Sequence, residues 1–202
     1  MLVVISAPKP IANEARLINQ LFDAGLKHFH LRKEEMNKAD YQGIVTHIDP
    51  SYYPRLVLHQ FHELAFIYPL QRLHYKEMHR QNSLKSEFSS LKAQGVSLST
   101  SIHDLSYLAE LEKFEYVLYG PVHDSLSKSG YLGLSKNKLV LPVHCNRPKL
   151  VAIGGVTASN IEQTLALGFE GAALLGAIWN KPDSAVTNFK KIQEIWQNII
   201  LS

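Results

Sequence analysis

The stretch VAIGGVTASNI, residues 151–161, begins with apolar residues, continues through two glycines and then has the composition of a helix start. Ser159 and Glu162 have the spacing of a capping box, which predicts a helix through Ile161 and Leu165. Two explanations account for Gly154 and Gly155. They form a tight turn, or they let backbone N–H groups close around a phosphate at a helix N-terminus.

The same strand–turn–helix pattern recurs along the whole chain. Apolar runs without period-two polarity alternate with helix-like segments, which is typical of a parallel sheet covered on both faces. Eight such runs in 202 residues give about 25 residues per unit, which is the size of a compact βα unit. The predicted strands are Leu2–Ser6, His28–Arg32, Arg55–His59, Arg72–His74, Gly95–Leu98, Tyr116–Tyr119, Leu150–Ile153 and Gly171–Leu175.

This count predicts an α/β protein with a single (β/α)8 TIM barrel over residues 1–202, and an open doubly wound sheet is the alternative. The polar segment 79–94 is the least regular part of the pattern. In such barrels the loops after strands seven and eight commonly bind phosphate. Gly154-Gly155 and Gly176 fall in those two loops, so we favour the phosphate explanation of the opening stretch.

Composition excludes several classes of protein. The net charge of +3 is spread along the chain, which gives no indication of nucleic-acid binding. No apolar run approaches the ~20 residues of a membrane span, and Met1–Ser6 predicts a first strand rather than a signal peptide. Cys145 is the only cysteine, so no internal disulfide forms. We expect a cytoplasmic protein with no membrane partner; a homodimer is compatible with the sequence.

Two strand ends carry candidate anion-binding side chains. Arg32 follows His30 by two residues, so both side chains point to the same side of the sheet. Ser125, Ser127 and Lys128 follow the sixth strand and could direct hydroxyls and an ammonium at an anionic group. A surface ion pair of Arg32 with Glu34 or Glu35, and a solvated serine loop, are the alternatives.

Histidines cluster at the predicted strand ends, where a barrel brings side chains to one opening. They are His30, His59, His103 and His123, with His79 a few residues beyond another strand. Proton transfer and metal binding are both compatible with this placement. The alternative is ordinary packing and hydrogen bonding, and we predict no bound metal.

Five motifs in order resemble the thiamine phosphate synthase/TenI family along nearly the whole chain. They include His30-Leu31-Arg32, Ser101-Ile102-His103, the loop from Gly120-Pro121-Val122 to Lys128, and Ala152-Ile153-Gly154-Gly155-Val156. The resemblance implies a thiamine-biosynthetic transferase that joins a pyrimidine diphosphate to a thiazole phosphate and releases pyrophosphate. It also implies pyrophosphate contacts for Arg32, Ser101, Ser127 and Lys128, and thiazole-phosphate contacts for Gly154, Gly155 and Gly176.

Several residues depart from the family pattern. The resemblance implies Mg2+ as a cofactor, but the expected carboxylates are replaced by His59-Gln60 and by His79, and Mg2+ prefers carboxylate oxygen to imidazole. Glu34 stands where the family has a lysine, and Lys33 is out of phase with Arg32. A TenI-like thiazole tautomerase, which needs no metal, is therefore one alternative, with His123 as its candidate catalytic histidine. A non-catalytic binder of phosphorylated ligands is another.

Overall fold

The strands form a closed barrel in this computed structural model, which describes residues 1–123, 141 and 148–201. Eight parallel strands follow one another around the barrel in chain order, and β1 pairs with β8 through Leu2↔Ala172. The pairing of first and last strands confirms the predicted (β/α)8 barrel and rules out the open sheet. The strands are β1 Leu2–Ile5, β2 Phe29–Leu31, β3 Leu56–Leu58, β4 Arg72–Tyr75, β5 Ser97–Ile102, β6 Tyr116–Tyr119, β7 Lys149–Ile153 and β8 Gly171–Leu174.

Helices cover the outside of the barrel. In the described residues these are α1 Glu14–Asp23, α2 Lys38–Thr46, α3 Leu64–Ile67, α4 Glu77–Asn82, α5 Lys85–Ala93, α6 Ile161–Ala166, α7 Gly176–Trp179 and α8 Ala185–Leu201. Short 3-10 turns cover Pro50–Arg55, Leu105–Glu110 and Pro182–Ser184. The polar segment 79–94 is helical after all, because Phe88 and Leu91 of α5 suffice to bury one face.

The fifth strand lies later in the chain than the sequence indicates. It was predicted at Gly95–Leu98 but runs from Ser97 to Ile102. Its SLSTSI sequence lacks the apolar run on which that prediction depended. The hydroxyl of Thr100 donates to the carbonyl of Tyr75 at 2.7 Å, and Ser101 also belongs to the strand, where it pairs with Leu118 of β6.

The inside of the barrel has an apolar side and a polar side. On the apolar side, Val3, Ile5, Leu118, Val151 and Ala173 form a small separate core. The strands β2 to β5 fill the polar side with His30, His74 and Ser99, which are all buried. Since buried polar groups are costly unless they are hydrogen-bonded, the polar side depends on a network that we describe with the site.

A buried ion pair anchors the outside of β2 to the first helix. Lys33 Nζ lies 2.7 Å from Glu14 Oε2, and the two side chains are only 1% and 4% exposed. The ammonium also donates to the carbonyls of Ala7 and Lys9, at 2.7 and 3.0 Å. Lys33 therefore fixes the β1–α1 connection and points away from Arg32, as its phase in the sequence indicates.

We predict that Lys33→Met destabilises the protein by about 3–5 kcal/mol, because it leaves the Glu14 carboxylate buried and unpaired. The double change Lys33→Met with Glu14→Leu should recover most of that loss. Urea unfolding gives both values. Lys38→Met, which breaks the exposed pair with Glu63, is the matched control and should cost less than about 1 kcal/mol. Equal losses in the two single variants would contradict the assignment.

Candidate functional site

A cavity of about 250 Å3, which we call the mouth cavity, lies at the carboxyl end of the barrel, where Ile5, Leu118 and Ile153 line its apolar side. Its polar lining comprises Arg32, His59, His74, Lys76, Glu77 and Ser101, together with His103. Ligand sites of (β/α)8 barrels lie at this end of the strands. The mouth cavity is therefore the first candidate for a reaction site.

A chain of hydrogen bonds lies beneath this cavity. The hydroxyl of Tyr116 lies 2.6 Å from Nε2 of His30, and Nδ1 of His30 lies 2.8 Å from Nε2 of His59. Nδ1 of His59 is buried and has no hydrogen-bond partner among the described residues. Whichever tautomers form the chain, its upper end is thus an unsatisfied imidazole nitrogen.

His74 forms the second part of the floor. Its two ring nitrogens each lie 2.9 Å from a serine hydroxyl, those of Ser99 and Ser101. Its ring stacks on that of His59, with centroids 4.1 Å apart. The two serines of β5 therefore fix the orientation of His74, and through it the packing of His59.

Burial keeps these imidazoles neutral. Desolvation lowers the pKa of His74 to about 3, and the nearby charges of His62, Arg32 and Lys76 act in the same direction. Desolvation and the neighbouring histidines also hold the pKa of His30 and of His59 well below the usual range. Around pH 7 the floor of the cavity consequently offers neutral rings that donate and accept hydrogen bonds.

Positively charged side chains lie on one rim of the mouth cavity. The guanidinium of Arg32 and the ammonium of Lys76 both contact Oε1 of Glu34 at 2.6 Å. The three side chains are 40–46% exposed. Hydrogen bonds from Lys76 first, and then from Arg32, lower the pKa of Glu34. The ion pair of Arg32 with Glu34 that we considered from the sequence is thus present, and Lys76 adds a second positive charge.

A second cavity, of about 210 Å3, lies between the turns after β7 and β8 and is called the glycine cavity here. Its lining includes Gly154, Gly155, Thr157, Gly176 and Asn180. It shares Ile153 with the mouth cavity, so the two are adjacent.

Gly154 and Gly155 border this cavity, and they also have a structural role in the turn after β7. Gly154 has φ +96°, and a Cβ there would lie 2.8 Å from Cα of Pro121. The adjacent Gly155, at φ +65°, accepts a 2.8 Å hydrogen bond at its carbonyl from Nδ2 of Asn160. The tight-turn explanation therefore holds, and it leaves the phosphate explanation open, because the same turn borders a cavity.

The predicted capping box is not formed. Asn160, rather than Ser159, precedes α6, and its Oδ1 accepts from the N–H of Thr157 at 2.8 Å. Ser159 bonds the hydroxyl of Thr157 instead. Asn160 thus closes the turn on both sides, and its amide is better suited to this than a serine because it donates and accepts at once.

The other predicted site residues divide into three groups. Gly176 lines the glycine cavity, while Ser101 and His103 line the mouth cavity, where Nδ1 of His103 pairs with Glu77 at 2.6 Å. His123 lies beside α6, with Nε2 2.8 Å from the hydroxyl of Thr164. Ser125, Ser127 and Lys128 lie outside the described residues and stay predictions.

Gln60 and His79, which the resemblance places at the family's metal positions, do not line the mouth cavity. Oε1 of Gln60 accepts from the N–H of Lys33 at 2.9 Å, and the ring of His79 packs against those of His62 and Tyr75. The carboxylates that adjoin the cavity in the described part of the chain are Glu77, paired with His103, and Glu34, paired with two cations. Mg2+ prefers free carboxylate oxygens, and both of these carboxylates are already paired with other side chains. The residues at this cavity therefore do not fit Mg2+.

Sequence reasoning missed His74, Lys76 and Tyr116 as site residues. Lys76 directly follows β4, and His74 lies two residues before it, as His30 does before Arg32. The same strand-end spacing could have found both residues. Tyr116 was placed on its strand, but nothing in the sequence pairs its hydroxyl with a histidine 86 residues away.

The closed barrel and the two adjacent cavities at its carboxyl end define a (β/α)8 barrel protein with a polar mouth. Residues 2–178 match the family model described as thiamine monophosphate synthase. The chain therefore belongs to the thiamine monophosphate synthase family, which confirms the resemblance drawn from its motifs. In the described residues, no helix has both the length and the apolar character needed to cross a bilayer.

Individual relatives cover nearly the whole chain. The thiamine-phosphate synthase of Pediococcus pentosaceus is 24% identical over 204 residues, which is 95% of this chain and 93% of the relative. The thiamine phosphate pyrophosphorylase structure from Bacteroides thetaiotaomicron superposes with a TM-score of 0.74 at 22% identity, covering 97% of each chain. The corresponding structure from Pyrococcus furiosus has a TM-score of 0.68 at 15% identity, covering 98% of this chain and 96% of the other. At these identities the two structures establish the fold alone.

We predict that Gly176→Val weakens the binding of inorganic phosphate by more than about tenfold, because a side chain in the glycine cavity displaces a hydrogen-bonded anion. The fold should tolerate the change, since the nearest heavy atom to an added Cβ is 3.5 Å away. Gly154→Val is unsuitable for this purpose because it clashes with backbone. Isothermal titration measures the affinity, and Gly43→Val in α2 is the control. Unchanged phosphate binding by the Gly176 variant would remove phosphate from this cavity.

We predict that Glu34→Gln tightens pyrophosphate binding by roughly threefold, the worth of an exposed ion pair. The change releases Arg32 and Lys76 from a competing carboxylate, and the gain should shrink with salt as the charges are screened. Pyrophosphate titrations at low and high ionic strength test this. Glu63→Gln removes a carboxylate of similar exposure that pairs with Lys38 and should have no effect. Weaker binding by Glu34→Gln would place Glu34 in the binding site itself.

Proposed function

We propose that this protein acts in thiamine biosynthesis as a thiamine-phosphate synthase-type transferase that binds a thiazole phosphate and a pyrimidine diphosphate. Family membership supports the general activity, since the curated relatives that match are thiamine-phosphate synthases. The observation that carries the proposal is the adjacency of the two cavities, which share Ile153. One has glycine turns suited to a monophosphate, and the other has paired cations suited to a diphosphate.

The glycine cavity would bind the thiazole phosphate. Gly176 begins α7, and Gly154 and Gly155 leave their surroundings free of side chains, so an anion could approach the backbone closely. With the phosphate there, the thiazole ring would extend past Ile153 towards His59 and His74.

The rim cations would hold the diphosphate of the pyrimidine. Arg32 suits a bidentate contact with phosphate oxygens, and Lys76 adds a compact charge. As the bond to the diphosphate breaks, negative charge grows on the leaving group, and cations already in place stabilise it without reorganisation. The predicted Lys128, Ser125 and Ser127 would add to this group.

Thiamine phosphate synthases are generally Mg2+-dependent, and the residues of this chain do not fit that ion. We therefore expect coupling to be slow and only weakly stimulated by Mg2+. No step of the proposed reaction in this chain depends on the ion.

A second candidate is isomerisation of the thiazole phosphate, as in the TenI branch. The specific observation in its favour is His59, which lines the mouth cavity and whose buried Nδ1 has no partner among the described residues, so that it could take up and return a proton without a metal. His123, the histidine considered from the sequence, lies beside Thr164 and lines neither cavity.

We predict measurable formation of thiamine phosphate from the two precursors, with less than about a tenfold difference between reactions with and without Mg2+. Product and released pyrophosphate are assayed on the purified protein, and NMR follows proton exchange on the thiazole phosphate alone. Exchange without coupling would favour the tautomerase instead. Binding of both precursors with neither reaction would make the protein a non-catalytic binder. Strong dependence on Mg2+ that is lost in Glu77→Gln would show that we misjudged the donor set.

A further inference from the structure

Three histidines from consecutive strands meet beneath the mouth cavity. His30 lies on β2, His59 follows β3, and His74 lies on β4. All three are buried, and one ring nitrogen from each lies within 4.8 Å of one from each of the others. In a tetrahedral zinc site with bonds of 2.0–2.1 Å, two ligand nitrogens are about 3.3 Å apart. The nitrogens must therefore approach one another by up to about 1.5 Å to bind one ion.

The chemistry of the cluster matches a borderline transition metal. Imidazole nitrogen is a preferred ligand of Zn2+, whereas Mg2+ prefers oxygen. Three protein ligands leave a fourth position open, which is the usual pattern of zinc sites that bind a water or a substrate. Here the open position would face the mouth cavity, because His59 and His74 line it. We propose that His30, His59 and His74 bind a divalent transition metal, with Zn2+ as the ion that best matches three imidazoles and an open position.

The surroundings of the three rings supply the outer contacts that metal-binding histidines need. Tyr116 holds His30, and the hydroxyls of Ser99 and Ser101 hold His74. Such contacts orient the ring and fix its tautomer. The unpartnered Nδ1 of His59 is the one buried nitrogen of the cluster that lacks a partner among the described residues. Turning this nitrogen towards the ion would give it a partner.

Metal binding requires small rearrangements. Nδ1 of His30 and Nε2 of His59 would exchange their 2.8 Å contact for bonds to the ion, or His59 would turn its Nδ1 inwards. One serine would release His74, and the stacked rings would rotate apart about χ2, a torsion with a broad energy well. These changes involve side chains of three neighbouring strands, whose parallel pairing holds the rings side by side.

This inference replaces the expectation from the sequence that the histidines bind no metal, and it does not depend on the proposed function. The ligands of the ion are imidazoles rather than carboxylates, and neither Gln60 nor His79, which the resemblance places at the family's metal positions, belongs to the cluster. The ion could bind whether or not the protein couples or isomerises thiamine precursors.

Direct binding to the full-length protein tests the proposal. After treatment with a chelator, the protein is titrated with Zn2+ in a calorimeter, and equilibrium dialysis with elemental analysis gives the stoichiometry. We expect one ion per chain, retained in excess Mg2+. Co2+ serves as a spectroscopic probe, whose visible absorption reports nitrogen ligation and a low coordination number. Absence of any site at micromolar Zn2+ would overturn the proposal without the need for a variant.

Variants locate the site. His59→Gln should weaken Zn2+ binding by about 100-fold or more, since loss of an outer contact alone typically costs 10–100-fold. His103→Gln is the matched control, because His103 lies at the same cavity with Glu77 but outside the cluster. If His59→Gln fails to fold, His74→Gln makes the same test. Loss of binding in His103→Gln with retention in the cluster variants would overturn the assignment.

Discussion

The hydrogen-bonded chain from Tyr116 through His30 to His59 is the constraint on which this barrel depends. Small (β/α)8 barrels are usually filled by layers of branched apolar side chains. Here one half of the interior follows that rule and the other half is polar. A buried imidazole without partners is costly, so the polar half persists because Tyr116 and the serines of β5 satisfy most of its nitrogens.

This division of the interior is carried through to the mouth. The apolar side ends in β7 and β8, whose turns present backbone and small residues. The polar side ends in β2 to β5, and the residues that directly follow these strands present charges and rings: Arg32, His59, Lys76 and His103. Ile153 lies on the boundary between the two. A ligand with a phosphate at one end and a reactive ring at the other would match this asymmetry along its length.

The sequence predicts the fold better than the site, for a physical reason. Apolar runs can be recognised directly in the sequence, so the eight βα units and the closed barrel could be predicted. The strand β5 was misplaced because its serines carry hydroxyls that bond inwards, and composition alone makes such a segment resemble a loop. The role of Lys33 could be predicted only in part. Its position next to Arg32 in the sequence indicated that its side chain points away from the mouth. Its partner Glu14, however, lies 19 residues away and is brought near only by the β1–α1 connection.

The site itself depends on contacts between strands, which no local pattern contains. That His74 stacks on His59 follows from the pairing of β3 with β4 through Leu58↔Leu73. Likewise, Tyr116 reaches His30 only because the barrel is narrow enough for opposite strands to touch. The position of these residues on or next to the strands could identify them as candidates for the site. Their contacts with one another form only when the barrel closes.

At the rim of the mouth cavity, a change of charge at one sequence position is compensated by a charged residue from another strand end. The family pattern has a lysine where this chain has Glu34, and that exchange alone would reverse a charge at the diphosphate position. In the folded protein Lys76, which follows β4, contacts Glu34, so Arg32, Glu34 and Lys76 together keep a net positive charge. Their contacts are exposed, and exposed ion pairs contribute little free energy. If a diphosphate binds there as we propose, it could therefore replace the Glu34 carboxylate at small cost.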